Sequence, residues 1–246
     1  MMATQIAKQI VRGLIGAATP LVEPVGTMVM WNAGIRALKR AGFAPKTVFD
    51  IGVARGTPEL YAAFPTARFV LVDPTHESLP YMKETARRID AEIVPVALGD
   101  CDGEMEIEVR CDDIQGATLF REIGPLGPTD RYRVPVRRFD SLFMEFRRPA
   151  LCKVDVQGAE LMVLRGTGPR IHDFDAIIVE TSTIATVADA PEIFDVVAFL
   201  KQQGFVIFDL FGMSRRPLDR ALAQLDILLV KEDSPFRADH RWRATV

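Results

Sequence analysis

"TVFDIGVARGTPELYAAF", Thr47 to Phe64, is the stretch on which the fold turns. A β-branched and aromatic run carries an acid, Asp50, near its end, passes into a turn marked by Gly52 and Gly56, and gives way to a helix near Pro58–Phe64. This strand, glycine turn and helix open like a nucleotide-binding unit. A dinucleotide fingerprint needs glycine at the first, third and sixth places of the turn, so that backbone can touch a pyrophosphate. Counting from Gly52, those places hold Gly52, Ala54 and Thr57, and Arg55 stands where a phosphate would approach. The phosphate-cradling reading fails.

What the turn does offer is close backbone approach without side chains, beside an acid that favours a cationic group. S-adenosylmethionine fits, because its methionine part carries an ammonium and it has no phosphate. The pattern is short, and a glycine kink in a buried strand explains the same residues. A second strand, "RFVLVDP", supplies an independent point: it ends in Asp73 about 20 residues after the turn, where an acid can accept both ribose hydroxyls. A third strand, "EIVPVALGD", places Leu98 and Gly99 against a flat ring and Asp100 near an exocyclic amine, although Asp100 serves equally as a turn residue.

Around these strands the chain alternates apolar β runs with helix-period segments, the helix after Asp73 falling near Glu77–Ile89. That rhythm predicts a parallel sheet buried on both faces. It breaks at "GEMEIEVR" and "DRYRVPVRRFD", which alternate with period two around the loop "GPLGPTD" and read as an inserted pair of β segments. Alternation returns with "ALCKVDVQG", a helix over about 159–165, "DAIIVET", a helix over about 191–203, "GFVIFDLFG" and "LAQLDILLVK". The expectation is one domain over residues 46–246 with seven core strands. Residues 1–45 read as a helical extension, with apolar positions at Ile6, Ile10, Leu14, Ile35 and Leu38, that caps the substrate side or shields an edge.

Composition narrows the class. With 30 Lys+Arg against 33 Asp+Glu and a net charge of -3, no basic field exists to hold nucleic acid. Cys101, Cys111 and Cys152 lack CxxC spacing, which argues against a disulfide framework or zinc site and fits a reducing cytoplasm. The uncharged run between Arg12 and Glu23 is broken by Pro20 and is too short to span a bilayer. His76, His172 and His240 are scattered, so no metal is expected, with Asp155 and Glu180 the one pair left open for Mg²⁺.

The segments "VFDIGVARG", "VLVDP", "VALGDCDGEMEIEV", "VRRFDSLF", "KVDVQGAELMVLRG", "DAIIVET" and "LDILLV" occur in an order that resembles the FkbM family of S-adenosylmethionine-dependent methyltransferases. The resemblance implies an α/β fold with the class I methyltransferase, Rossmann-like sheet: strand order 3-2-1-4-5-7-6, last strand antiparallel, and a β insertion between strands 3 and 4. It implies methylation of hydroxyl groups on sugars, glycolipids or polyketide-like molecules, leaving S-adenosylhomocysteine, with homodimerisation open. Two departures stand out: Ala54 in place of the asparagine of "DIGANxG", and Gln157 in place of the glutamate of "DxEGAE".

In an open α/β sheet the ligand lies beyond the carboxyl ends of the strands. The expected cofactor contacts are therefore Asp50 to the ammonium, Gly52 and Gly56 in the turn, Asp73 to ribose, Leu98, Gly99 and Asp100 around the base, and Asp155 at the boundary with the acceptor. Asp155 and Glu180 are the catalytic candidates, ahead of Glu160, which reads as a first-turn helix acid. Lys153, inside an apolar strand, must either pair or reach an edge, and reads as half of a buried pair with an acid or as a direct catalytic group. Thr118 reads as a ligand contact or a cap. Two other functions stay open on residues alone, an NAD-type oxidoreductase on a similar sheet and a non-catalytic binding protein.

Overall fold

A computed structural model describes residues 34–124 and 127–243. Its main sheet has the order β3-β2-β1-β7-β8-β10-β9, built from β1 (Thr47–Ile51), β2 (Arg68–Val72), β3 (Ala91–Val94), β7 (Ala150–Val154), β8 (Ala176–Ser182), β9 (Phe205–Arg215) and β10 (Leu222–Lys231). The first five pair in parallel, and β10 runs antiparallel to both β8 and β9. Counted as core strands in chain order, this is 3-2-1-4-5-7-6, the order the resemblance implied.

β1 and β7 are buried along their whole length, as parallel strands covered on both faces must be. One face packs Phe49, Ile51 and Val154 under α4 (Glu160–Gly166) and α5 (Ile193–Gln202); the other packs Val48, Leu60, Met82 and Phe211 with α1 (Pro58–Ala63) and α2 (Leu79–Ala86). Phe49 is the hub of an aromatic cluster, with ring centroids 4.9 Å from Phe139, 5.1 Å from Phe143 and 5.0 Å from Phe146. Phe139 opens the short helix α3 (Phe139–Leu142), so "RRFDSLFMEF" is a plug for the first strand.

The expected third strand is corrected. "EIVPVALGD" divides at Pro95, which has no N–H to give a ladder. β3 stops at Val94, and β4 (Ala97–Leu98) joins a second sheet of order β4-β6-β5 with β5 (Gly103–Arg110) and β6 (Thr129–Arg137). The insertion is thus three-stranded, with β4 parallel to β6 and β5 antiparallel to it. The helices after β2 and β8 are also shorter than the periodicity suggested, α2 and α5 ending at Ala86 and Gln202.

Of the N-terminal extension, residues 34–40 are helical, and Ile35 and Leu38 are buried against the sheet. Ile6, Ile10 and Leu14 lie outside the described residues. No helix among the described residues is long and apolar enough to cross a membrane.

Candidate functional site

A cavity of about 900 Å³ opens at the carboxyl ends of β1, β2, β7 and β8. Its floor is the turn from Gly52 to Thr57 with Asp73, Asp155 and Glu180; Ile107, Ile114, Thr118 and Leu119 of the insertion face it, and Gln224 closes one side. The volume lies in the range of small-molecule and cofactor sites. The insertion is tied down on two sides, by Tyr132 donating to Glu77 Oε2 (2.6 Å) and by Thr118 Oγ1 donating to the Gln157 carbonyl (2.7 Å). Thr118 therefore lines the cavity and also fastens its roof.

The turn after β1 is demanding. Gly52 has φ +81°, and a Cβ there would lie 1.7 Å from the Asp155 carbonyl oxygen. The missing side chain thus serves the meeting of two loops as well as access from the cavity. Ala54 has φ +45°, a left-handed conformation that suits asparagine better than alanine. Ala54→Asn is expected to stabilise the protein by about 0.5–1 kcal/mol, read as a rise in the thermal midpoint; no rise would mean that the turn is not strained at this position.

Asp73 is 5% exposed and heads the end of β2 at the cavity. Its Oδ1 is held by Thr75 N (2.9 Å), Thr75 Oγ1 (2.6 Å) and Ser78 Oγ (2.7 Å), while among the described residues Oδ2 accepts from Ala54 N alone (2.8 Å). A carboxylate oxygen has two lone pairs, so capacity for a ligand hydroxyl remains at Oδ2. Protein donors fill Oδ1, so the carboxyl has room for one ligand hydroxyl and not for the expected two.

Asp50 does not line the cavity. It is 0% exposed, accepts from Tyr61 Oη (2.6 Å) and pairs with Lys153 Nζ at 3.2 Å. The ammonium role expected of Asp50 is corrected to that of an anchor beneath the turn, since a buried carboxylate already matched by a lysine has no oxygen to present. Lys153 is paired as its apolar strand required: Nζ also lies 3.2 Å from Asp155 Oδ2. Burial alone would push its ammonium down, but the Asp50 and Asp155 carboxylates outweigh that and raise it, so it stays charged.

Leu98 lines the cavity with Val96 and Ala97, whereas Gly99 and Asp100 do not. The Gly99 carbonyl packs against Gly166 of α4, and the Asp100 carbonyl accepts from Arg138 Nη1 (2.6 Å). Both residues lie outside the cavity lining, so the contacts expected of them are withdrawn. Gly56 does line the cavity.

Where β7 and β8 end, the cavity is lined by a cluster of acids and amides. Gln157 Nε2 donates to Asp155 Oδ1 (2.9 Å) and Glu180 Oε2 (2.6 Å), and Gln224 Nε2 reaches Glu180 Oε2 at 3.2 Å. Burial, then the nearby carboxylates of Asp155, Asp226 and Glu160, push the Glu180 carboxyl well above the usual range. Asp226 and Gln224 were not singled out from sequence. A polar pair inside the otherwise apolar "LAQLDILLV" was the available signal.

Glu160 lies outside the cavity lining and clamps the loop before α4, its Oε1 accepting from Gly158 N (3.0 Å) and Val156 N (3.4 Å). Burial pushes its carboxyl up to about 7 from 4.5. Between these values the folded state keeps a proton that the unfolded chain has lost, so stability falls as pH rises through that window. Glu160→Gln, which retains an acceptor for Gly158, is expected to be more stable than wild type by about 2 kcal/mol at pH 8 and to differ little at pH 4.5. Parallel urea titrations at the two values test this; an equal change at both would remove the titration from the account.

Among the described residues no group of three or more His, Cys, Asp or Glu has the arrangement to hold a metal ion. The donors present suit an organic cation and hydroxyls.

The chain matches the methyltransferase FkbM domain over residues 50–207. Solved structures similar to it include the 1,6-didemethyltoxoflavin-N1-methyltransferase of Burkholderia thailandensis with 1,6-didemethyltoxoflavin and S-adenosylhomocysteine bound, at 15% identity, covering 94% of this chain and 89% of that one, with TM-score 0.46. Another is the magnesium protoporphyrin IX methyltransferase of Synechocystis with S-adenosylmethionine bound, at 13% identity, 84% and 80% coverage and TM-score 0.46. No curated protein matches the chain.

Proposed function

The chain belongs to the FkbM methyltransferase family and is an S-adenosylmethionine-dependent methyltransferase; from that premise we propose that it methylates a hydroxyl oxygen of a small-molecule or glycan acceptor, on a sugar, glycolipid or polyketide-like scaffold, with Glu180 taking the proton. The oxidoreductase alternative is set aside by the family. When bound, S-adenosylmethionine supplies an electrophilic methyl on a positive sulfur. The residues of the chain hold the two reactants in line, an effect worth about 7–11 kcal/mol. Asp73 Oδ2 receives a ribose hydroxyl, Val96, Ala97 and Leu98 form the wall for the base, and Asp155 lies at the boundary between cofactor and acceptor.

As the acceptor oxygen bonds to the methyl carbon and the carbon–sulfur pair returns to sulfur, the hydroxyl proton must go to a base. The observation that carries the assignment is the Glu180 carboxyl lining the cavity, joined to Asp155 through the Gln157 amide that donates to both. Its raised affinity for a proton suits it to act as acceptor nearer neutral pH than an ordinary carboxylate. Cys101 and Cys111 are free and exposed, in keeping with a reducing cytoplasm.

Incubation with S-adenosylmethionine and a panel of hydroxylated acceptors, followed by location of the new methyl by NMR, tests the reading. A methyl ether is expected; a methyl on nitrogen or carbon would overturn the hydroxyl assignment. Asp73→Ala should weaken S-adenosylhomocysteine binding by about 10- to 100-fold, the value of one charge-assisted hydrogen bond. Equal calorimetric affinity in the two proteins would remove Asp73 from the ribose site.

A further inference from the structure

Both N–H groups of the Gln157 amide are spent on the two acids, at 2.9 Å from Asp155 Oδ1 and 2.6 Å from Glu180 Oε2. Its carbonyl oxygen accepts from Gln224 Nε2 at 3.2 Å. The orientation is forced, because turning the Gln157 amide over would set its oxygen against two carboxyl oxygens and its N–H groups against those of Gln224. The backbone is strained to deliver this amide: φ at Gln157 is +51°, which costs a residue with a side chain on the order of 1 kcal/mol. The insertion secures the same residue through Thr118 Oγ1, which donates to the Gln157 backbone carbonyl at 2.7 Å.

We propose that Gln157 is a positioning residue for the methyl transfer, its amide clamping the Asp155 and Glu180 carboxyls into one hydrogen-bonded unit whose orientation Gln224 fixes. This rests on Glu180 being the proton acceptor. Two amide donors on Oε2 stop the Glu180 carboxyl from rotating, so it meets the acceptor in one pose. An amide suits this place where an acid does not. Asp155, Asp226 and Glu160 already face Glu180, and the lysine at this cluster, Lys153, is shared between Asp155 and Asp50. A further carboxylate at position 157 would add repulsion and donate to neither acid.

The test is an NMR titration of the Asp155 and Glu180 carboxyl carbons in the full chain, comparing wild type with Gln157→Ala, Gln157→Glu and Gln224→Ala. Losing one N–H donor to a carboxylate should raise the Glu180 midpoint by about one pH unit in Gln157→Ala. Gln157→Glu should raise it further through like charge, and Gln224→Ala should raise it less. Circular dichroism and S-adenosylhomocysteine calorimetry show which variants fold. A Glu180 midpoint equal to that of wild type in the folded Gln157 variants overturns the clamp; should neither fold, an unchanged midpoint in Gln224→Ala does so. Failure of wild type to bind S-adenosylmethionine would instead sink the proposed function and leave the titration result standing.

Discussion

Lys153→Met is expected to destabilise the protein by about 3–5 kcal/mol, because it leaves a fully buried carboxylate without its counter-charge. Asp50 has no exposure, and its partner ammonium lies 3.2 Å away. With total stabilities of about 5–15 kcal/mol typical of domains, that loss is large enough to unfold much of the protein at 37 °C. The cost comes from the orphaned acid and not from the value of the pair, so removing both charges should recover most of it. The prediction is therefore a double-mutant cycle in urea: Lys153→Met falls furthest, and Lys153→Met with Asp50→Asn returns toward wild type. Additive losses would show that Asp50 and Lys153 do not form the pair described. The cofactor site should suffer along with stability, since Lys153 also reaches Asp155 at 3.2 Å and the Gly52 carbonyl at 3.4 Å.

The second large effect concerns chemistry and spares the cofactor. Glu180→Gln should lower turnover of a hydroxyl acceptor by about 10²- to 10⁴-fold, the usual contribution of a general base. S-adenosylmethionine affinity should stay within about twofold, because the proposed cofactor contacts lie at the turn, at Asp73 and along β4. In wild type the rate should fall on the acid side of the raised Glu180 midpoint, where the base is already protonated, and that acid limb should vanish in Glu180→Gln. Steady-state rates over a pH series, with cofactor affinity from calorimetry, separate the two quantities. A parallel loss of cofactor affinity would make Glu180 a cofactor contact and move the base elsewhere.

The glutamines explain why such a pair of acids can persist at the bottom of a cavity. Two neighbouring carboxyls repel when both are charged, and Gln157 and Gln224 offset this by donating to them. The departure from the family pattern at Gln157 thus removes a charge and supplies the donors that the remaining acids need.

From residues alone, alternating apolar runs implied a parallel sheet covered on both faces, the missing glycines at Ala54 and Thr57 argued against a phosphate cradle, and a lysine inside an apolar strand called for a pairing acid or an edge. These follow from local chemistry, for which a few neighbours along the chain are sufficient. Pairing depended on register: parallel alignment of β1 with β7 sets Asp50 beside Lys153, and alignment of β8 with β10 sets Glu180 beside Asp226. No spacing in the chain encodes those partners. Asp50 looked like a ligand contact because it sits in a strand-end motif, yet the side to which it points is decided by a neighbour 103 places later. Gly99 and Asp100 looked like a base-binding tip until Pro95 diverted their strand into another sheet. The side-chain types determined which chemistry was available, and the tertiary register decided which groups face the cavity, because burial and pairing act between residues distant in sequence.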